Sequence, residues 1–186
     1  MKILKWVLIV LIALVLLFFF VGMPYLKEQT KKNSPEKVAA YTGDGLDLQV
    51  KYSSPFKKGR VIFGELVPYD AVWRTGANEP TTFTTKTAVR IQGKELAPGT
   101  YSLWTIPGQR SWMVMFNSEV PDWGVTLISG GSKTTYNKES DVLQIQVPVI
   151  NLDTPMESFT IDFRESEGLF LSLTWDQTQI RIPIDK

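Results

Sequence analysis

The sequence predicts an all-β domain, an antiparallel β-sandwich or flattened barrel of about nine to ten strands, preceded by one N-terminal transmembrane helix. Three observations predict it. An uncharged apolar run fills Trp6–Met23, apolar side chains then recur at every second position along most of the remaining chain, and turn-forming residues punctuate the alternating stretches.

The first element is the apolar run, which follows Lys2 and Lys5 and is closed by Pro24. Its eighteen residues make about 27 Å of helix, close to the ~30 Å hydrocarbon core of a bilayer. Secretory signal peptides usually carry a shorter apolar region and small residues at the cleavage site. Here the run ends Phe18-Phe19-Phe20-Val21-Gly22-Met23, so residues 1–24 read as an uncleaved anchor that meets the membrane through residues 6–23. Lysines flank both ends, so charge bias does not set the orientation. A single N-terminal span ahead of a strand-rich domain most often serves export, so the expectation is a single-pass inner-membrane protein with its domain on the periplasmic side. Residues 25–37 are almost wholly polar and read as a tether.

Residues 38–186 form the expected domain. Leu46-Leu48-Val50-Tyr52, Val89-Ile91, Trp112-Val114-Phe116, Leu143-Ile145-Val147, Phe159-Ile161-Phe163, Leu169-Leu171-Leu173-Trp175 and Ile180-Ile182-Ile184 each place apolar residues on one strand face. Gly43-Asp44-Gly45, Gln92-Gly93-Lys94, Ala97-Pro98-Gly99, Pro107-Gly108-Gln109, Ser129-Gly130-Gly131-Ser132 and Asp176-Gln177 supply turns between them. Of the domain's five tryptophans, Trp112 and Trp175 sit on alternating apolar faces and belong in the core, whereas Trp73 and Trp123 lie in non-periodic segments and are the candidates for exposure.

Composition excludes whole classes of chemistry. The 186 residues include no His and no Cys, so there is no Ser-His-Asp triad, thiol nucleophile, disulfide or ordinary zinc site. No metal site and no cofactor is expected, and no phosphate-binding Gly-rich loop or Gly-x-Ser-x-Gly motif is found. The domain carries 14 Lys and Arg against 17 Asp and Glu, a surface unsuited to nucleic acid. Its basic residues are concentrated in 38–138, with 11 basic against 8 acidic, so an anion-binding surface belongs to the first two-thirds of the domain.

One region breaks the alternation and is dense in Gly, Arg and aromatic residues: Tyr52-Ser53-x-Pro55, Lys58-Gly59-Arg60-x-Ile62-Phe63-Gly64, Leu66-Val67-Pro68-Tyr69 and Val72-Trp73-Arg74-Thr75-Gly76-Ala77-Asn78-Glu79-x-Thr81. This string resembles the bacterial family DUF2911. The resemblance continues in order through Pro98-Gly99-Thr100-Tyr101-Ser102-Leu103, Ile106-Pro107-Gly108, Trp112, Asn117, Trp123-Gly124, Asp141-Val142-Leu143 and Glu157-x-Phe159. It implies an exported, envelope-associated protein of the Bacteroidota type and carries no activity, cofactor or partner with it. Two departures from the family pattern stand out: Ser54 and Gln144 occupy places usually held by Arg, and an insertion at Ser129–Thr135 lengthens the loop after Trp123-Gly124.

Candidate site residues come from the same string. Arg60 and Arg74 are planar donor forks suited to carboxylate, phosphate or sulfate. With Tyr69, Trp73, Asn78 and Glu79 they form a candidate ligand-binding cluster for a glycan or small anion. The competing reading pairs both arginines internally with Glu65, Asp70, Glu79 or Glu157, which makes the domain an envelope scaffold whose motif is structural. A third reading uses Glu65, Asp70 or Glu79 as the acid and base of a hydrolase, at spacings that specify no geometry. No residue is assigned as catalytic, and no protein partner is specified.

Overall fold

A computed structural model of the chain describes residues 2–126 and 133–186. The turn expected at Ser129–Ser132, and most of the Ser129–Thr135 insertion, lie outside the described residues. The chain divides into two compact units, Met1–Asn33 and Ser34–Lys186.

The first unit is helical. Helix α1 (Lys2–Leu17) passes through a π-helical turn (Phe18–Gly22) into α2 (Met23–Asn33). Pro24 has no N–H to donate to the carbonyl four residues back, and one residue earlier the ladder has already slipped, with the Met23 N–H reaching Phe18 O. The helix is long and apolar enough to cross a membrane or to act as a signal sequence, and its apolar side chains are exposed. The polar segment 25–37 continues this helix to Asn33 and enters the first strand at Glu36.

The second unit is one nine-stranded antiparallel sheet folded over into two layers, not closed into a barrel. Its strands are β1 (Glu36–Gly43), β2 (Leu46–Ser53), β3 (Thr81–Thr85), β4 (Val89–Ile91), β5 (Lys94–Leu96), β6 (Gly99–Ile106), β7 (Ser111–Asn117), β8 (Asp141–Glu165) and β9 (Leu169–Asp185). They run in the order β1-β2-β3-β6-β7-β8-β9-β4-β5. Strand β8 belongs to both layers: its first half pairs with β7 and its second half with β9.

The expected faces are the buried ones. Leu48, Val50, Phe83, Leu103, Val114, Phe116, Ile145, Ile161, Leu171 and Ile182 close the core between the layers. The two turns read from Gly43-Asp44-Gly45 and Gln92-Gly93-Lys94 have positive φ at both central residues, Asp44 and Gly45 in one and Gln92 and Gly93 in the other. That geometry matches the right-handed twist of the strands it joins.

The structure corrects one expected turn. Asp176-Gln177 does not separate two strands; it is a kink inside β9, with Asp176 at φ 51°. Leu171, Leu173 and Trp175 face the core before it and Ile180, Ile182 and Ile184 after it, so the inward set moves from odd to even positions. Opposite the kink, the register with β8 breaks between Asn151 and Met156 and again between Met156 and Thr160. Such irregularities bend and twist a strand, and here they fall where β8 passes from one layer to the other. Trp104 and Met115, a cross-strand pair on the outer side of the first layer, are buried as well, with the Tyr136 ring 5.5 Å from Trp104.

Candidate functional site

The long connection from β2 to β3, residues 54–80, is held in three places. Its first part covers the bend of β8: Ser54 Oγ donates to Phe159 O at 2.6 Å, Lys57 N to Glu157 O at 2.6 Å, and Lys57 Nζ meets Asp176 Oδ1 at 2.5 Å. Its second part folds on itself, with Val67 N donating to Ile62 O at 2.9 Å and the Ile62 side chain fully buried. Its third part extends the sheet. Where β3 has ended, Trp73 takes its place beside β6 through a reciprocal pair, Trp73 N to Thr105 O at 2.7 Å and Thr105 N to Trp73 O at 3.0 Å.

Beyond Trp73 the backbone is strained. Thr75 has φ 56°, Gly76 φ 150° and Asn78 φ 59°. A β-branched residue in the left-handed region is a genuine outlier that costs on the order of 1–3 kcal/mol. It persists because its surroundings over-determine it. The Thr75 hydroxyl lies 3.1 Å from that of Thr105, Thr75 O accepts from Thr81 Oγ1 at 2.5 Å, and Asn78 O accepts from Gly124 N at 3.0 Å. Gly76 is required by close approach too, since a Cβ there would stand 2.8 Å from Ser53 O.

This frame carries Trp73 inward and Arg74 to the rim. The Trp73 indole is 9% exposed and stacks on Trp175 at 6.1 Å and 18°, with Phe63, Trp112 and Phe159 around it. Its Nε1 donates to Gly76 O at 3.0 Å. Contrary to the sequence expectation, Trp73 is therefore a core residue with little of its surface exposed, because its backbone replaces a sheet strand. Trp123 is half-buried. Trp112 and Trp175 are in the core as expected.

Among the described residues the Arg74 guanidinium has no hydrogen-bond or ion-pair partner. Its Nε is buried without a hydrogen-bond acceptor, and among the described residues no carboxylate pairs with its guanidinium. Burial pushes its pKa below the ordinary arginine value; such a group stays protonated at neutral pH. Its stem runs beneath Gly124, where a Cβ would overlap Arg74 Cδ and crowd Arg74 Cβ at 3.0 Å.

Arg74 and Trp73 line an open cleft of about 380 Å³; among the described residues its other lining side chains are apolar, Leu66, Pro68, Val72 and Val125 among them, with the Thr134 hydroxyl as a second polar group. Leu66, at 44% exposure, leaves this apolar surface open to solvent. These wall residues were missed at the sequence level. Their signal was the run Leu66-Val67-Pro68 and Ala71-Val72, apolar residues in a stretch without strand alternation.

The other candidates do not line the cleft. Arg60 is exposed and secures its own loop, donating from Nε to Lys57 O at 3.0 Å and from Nη2 to Phe56 O at 2.5 Å. Tyr69 packs its ring against Gly64, where a Cβ would come within 3.0 Å of it. Asn78 is buried, its amide nitrogen 3.5 Å from Ser53 Oγ, and Glu79 is half-buried. Glu65 and Asp70 are exposed. Ser54 is fully buried and Gln144 lies on exposed β8 surface; neither lines the cleft, whereas the insertion reaches it through Thr134. Among the described residues no group of three or more Asp or Glu is placed to hold a metal ion.

Fold and site together define a class: a folded-over antiparallel β-sheet domain behind a single apolar N-terminal helix, with a cleft built by the β2–β3 connection. The chain belongs to the family described as protein of unknown function (DUF2911), whose profile matches residues 34–184. No curated protein and no solved structure matches the chain.

Proposed function

We propose that this chain is a membrane-tethered envelope protein whose β-sandwich binds a small anionic ligand, with Arg74 as the anion-binding group. The observation that carries the reading is the unpartnered Arg74 guanidinium at the cleft. Buried charges in proteins are paired or coordinate something, and an arginine fork without a carboxylate of its own is matched to a carboxylate or phosphate brought by a ligand. The strained backbone at Thr75–Asn78 adds support, since strain of that kind is maintained chiefly at ligand clamps and active sites. A glycan is less well served, because among the described residues the cleft offers one guanidinium and one threonine hydroxyl to a molecule that presents many hydroxyls. The internal-strut reading of Arg74 requires a carboxylate partner, and among the described residues none pairs with it. The N-terminal helix supports tethering, and the exported side of the inner membrane is the placement we propose for the domain.

The test is differential scanning fluorimetry of the full chain in lipid nanodiscs against a set of small organic and inorganic anions. A ligand that binds the native state raises the melting temperature by mass action. The expected result is a rise with at least one anion that disappears in Arg74→Met; a set that leaves both proteins unchanged would overturn the reading. Intact-mass measurement of membrane-purified protein tests the tether, which fails if the mature N-terminus lies between residues 21 and 30.

A further inference from the structure

We infer that the Arg74 cleft selects amphiphilic carboxylates, compact molecules with one carboxylate and an apolar body, over phosphate and over polar sugar acids. The inference rests on the anion-binding reading above and specifies its ligand class.

The polar inventory of the cleft sets the head group. Among the described residues, one guanidinium and the Thr134 hydroxyl are the polar side-chain groups lining it. A carboxylate has two oxygens, and the terminal edge of a guanidinium satisfies both in a parallel pair of charge-assisted bonds. A phosphate would bring a further oxygen and up to a second negative charge, left against apolar wall without a donor, and that is a costly arrangement.

The apolar inventory sets the body. Leu66, Pro68, Val72, Val125 and Trp73 are among the apolar residues of the described wall, and hydroxyls placed against them would lose water without gaining a partner. An aliphatic or aromatic group placed there removes apolar surface from water on both sides. Size follows from volume: 380 Å³ holds about a dozen non-hydrogen atoms if each takes about the 30 Å³ share of a water molecule. A single ring or short branched chain bearing a carboxylate has that size. The aromatic face also provides a readout, because Trp73 lies in ring contact with Phe63, Trp112, Phe159 and Trp175.

The experiment titrates full-length protein in nanodiscs with five probes, namely phenylacetate, its neutral isostere phenylacetamide, acetate, glucuronate and inorganic phosphate, followed by melting temperature and tryptophan fluorescence. Phenylacetate should bind with at least about tenfold higher affinity than each of the other four, and Arg74→Met should weaken it by about tenfold or more, the usual worth of a charge-assisted hydrogen-bond pair. Val72→Asp, which places a like charge in the apolar wall, should weaken it comparably while leaving the far-ultraviolet circular dichroism of the sheet unchanged. If phosphate or glucuronate binds in an Arg74-dependent way and phenylacetate does not, the ligand class is wrong and the anion site stands. If phenylacetamide binds as well as phenylacetate, the guanidinium does not read charge and the inference fails. If no probe shows Arg74-dependent binding, this inference fails, and the anion reading is then decided by the wider anion set above.

Discussion

Replacing Arg74 by Met should leave the free domain as stable as wild type or make it more stable, by between 0 and about 2 kcal/mol. Three terms decide the sign. Removing a partly buried guanidinium relieves a desolvation penalty that no carboxylate among the described residues offsets, and swapping buried charge for apolar volume is often neutral or stabilising by about 1–4 kcal/mol even where a pair existed. The lower part of that range applies, because the side chain is only partly out of water. The second term is packing: the arginine stem lies under Gly124, and Met keeps most of that volume with a flexible, apolar chain. The third is the hydrogen bonding lost, which is small because Nε has no acceptor to lose. The assay is urea denaturation of residues 34–186, a unit that contains the whole buried core, comparing midpoints at equal slope. An Arg74 that braced the loop through a hidden carboxylate would instead show a loss of about 3–5 kcal/mol, the cost of breaking a buried pair. A loss above about 2 kcal/mol would refute the reasoning that its charge is held for a ligand.

Packing and hydrogen bonding elsewhere in the domain set three further outcomes. Gly124→Ala should destabilise by about 1–3 kcal/mol through overpacking against the Arg74 stem, and a double-mutant cycle with Arg74→Ala should recover at least half of that, additivity arguing against the contact. Phe159→Ala, at 1% exposure and in ring contact with Tyr52, Trp73 and Trp175, should cost about 3–5 kcal/mol, and the half-buried Phe163→Ala clearly less; equal losses would mean that the depth of the core is misjudged. Finally, the hydrogen bond from Tyr41 to Glu165, the main cause, pushes the phenol from its ordinary 10.0 up to about 12. The folded state then holds this proton more tightly than the unfolded chain, so its contribution is complete below pH 10 and lost as pH rises toward 12. Spectrophotometric titration should show one fewer phenol ionising near pH 10 in wild type than in Glu165→Gln.

Where a segment's fate depended on nearest neighbours in the chain, the sequence was sufficient. Alternation identified the inward faces of β2, β4, β7 and both halves of β8, because a strand with one buried face must repeat every two residues. Several elements escaped, the short β5 and the strand β6 among them, and three of the misses show a physical reason. β1 has the burial pattern of an edge strand with no fully buried position, so no buried alternation marked it and its first two residues, Glu36 and Lys37, read as tether. β3 reads Thr-Thr-Phe-Thr-Thr, with threonine on both faces and only Phe83 to mark the core. The kink at Asp176 carries turn residues without being a turn between strands, since a bulge and a turn make the same demand for positive φ. At the site, residue type pointed to Arg74 and Trp73, but not to their opposite fates. Whether an arginine finds a carboxylate depends on distances across the fold, and Arg60 and Arg74, alike in sequence context, differ in that Arg60 lies within reach of two carbonyls of its own loop.

The same strain that made the motif hard to interpret explains why its parts stand together. Trp73 must enter the core beside β6, and Thr81 must begin β3 on the same strand track. The intervening residues leave the sheet and return to it within a few positions, which an ordinary extended chain cannot do. Positive φ at Thr75, Gly76 and Asn78 provides the reversal, and Thr81 N closes it by donating to Arg74 O at 3.2 Å. Arg74 is the residue on the way out, so its backbone is fixed on one side by the Trp73–Thr105 pair and on the other by the Thr81 bond. A side chain on so constrained a backbone loses little additional freedom when a ligand engages it, and preorganisation of that kind lowers the entropic cost of binding. Thr75→Gly tests the argument directly. Glycine adopts φ 56° without strain but gives up the threonine hydroxyl contacts and gains unfolded-state entropy, so stability should change by less than about 1.5 kcal/mol while the loop loosens. If preorganisation matters, affinity for an Arg74-dependent probe should fall with the Arg74 side chain itself intact. An unchanged affinity would show that the strain serves only the return of the chain into β3.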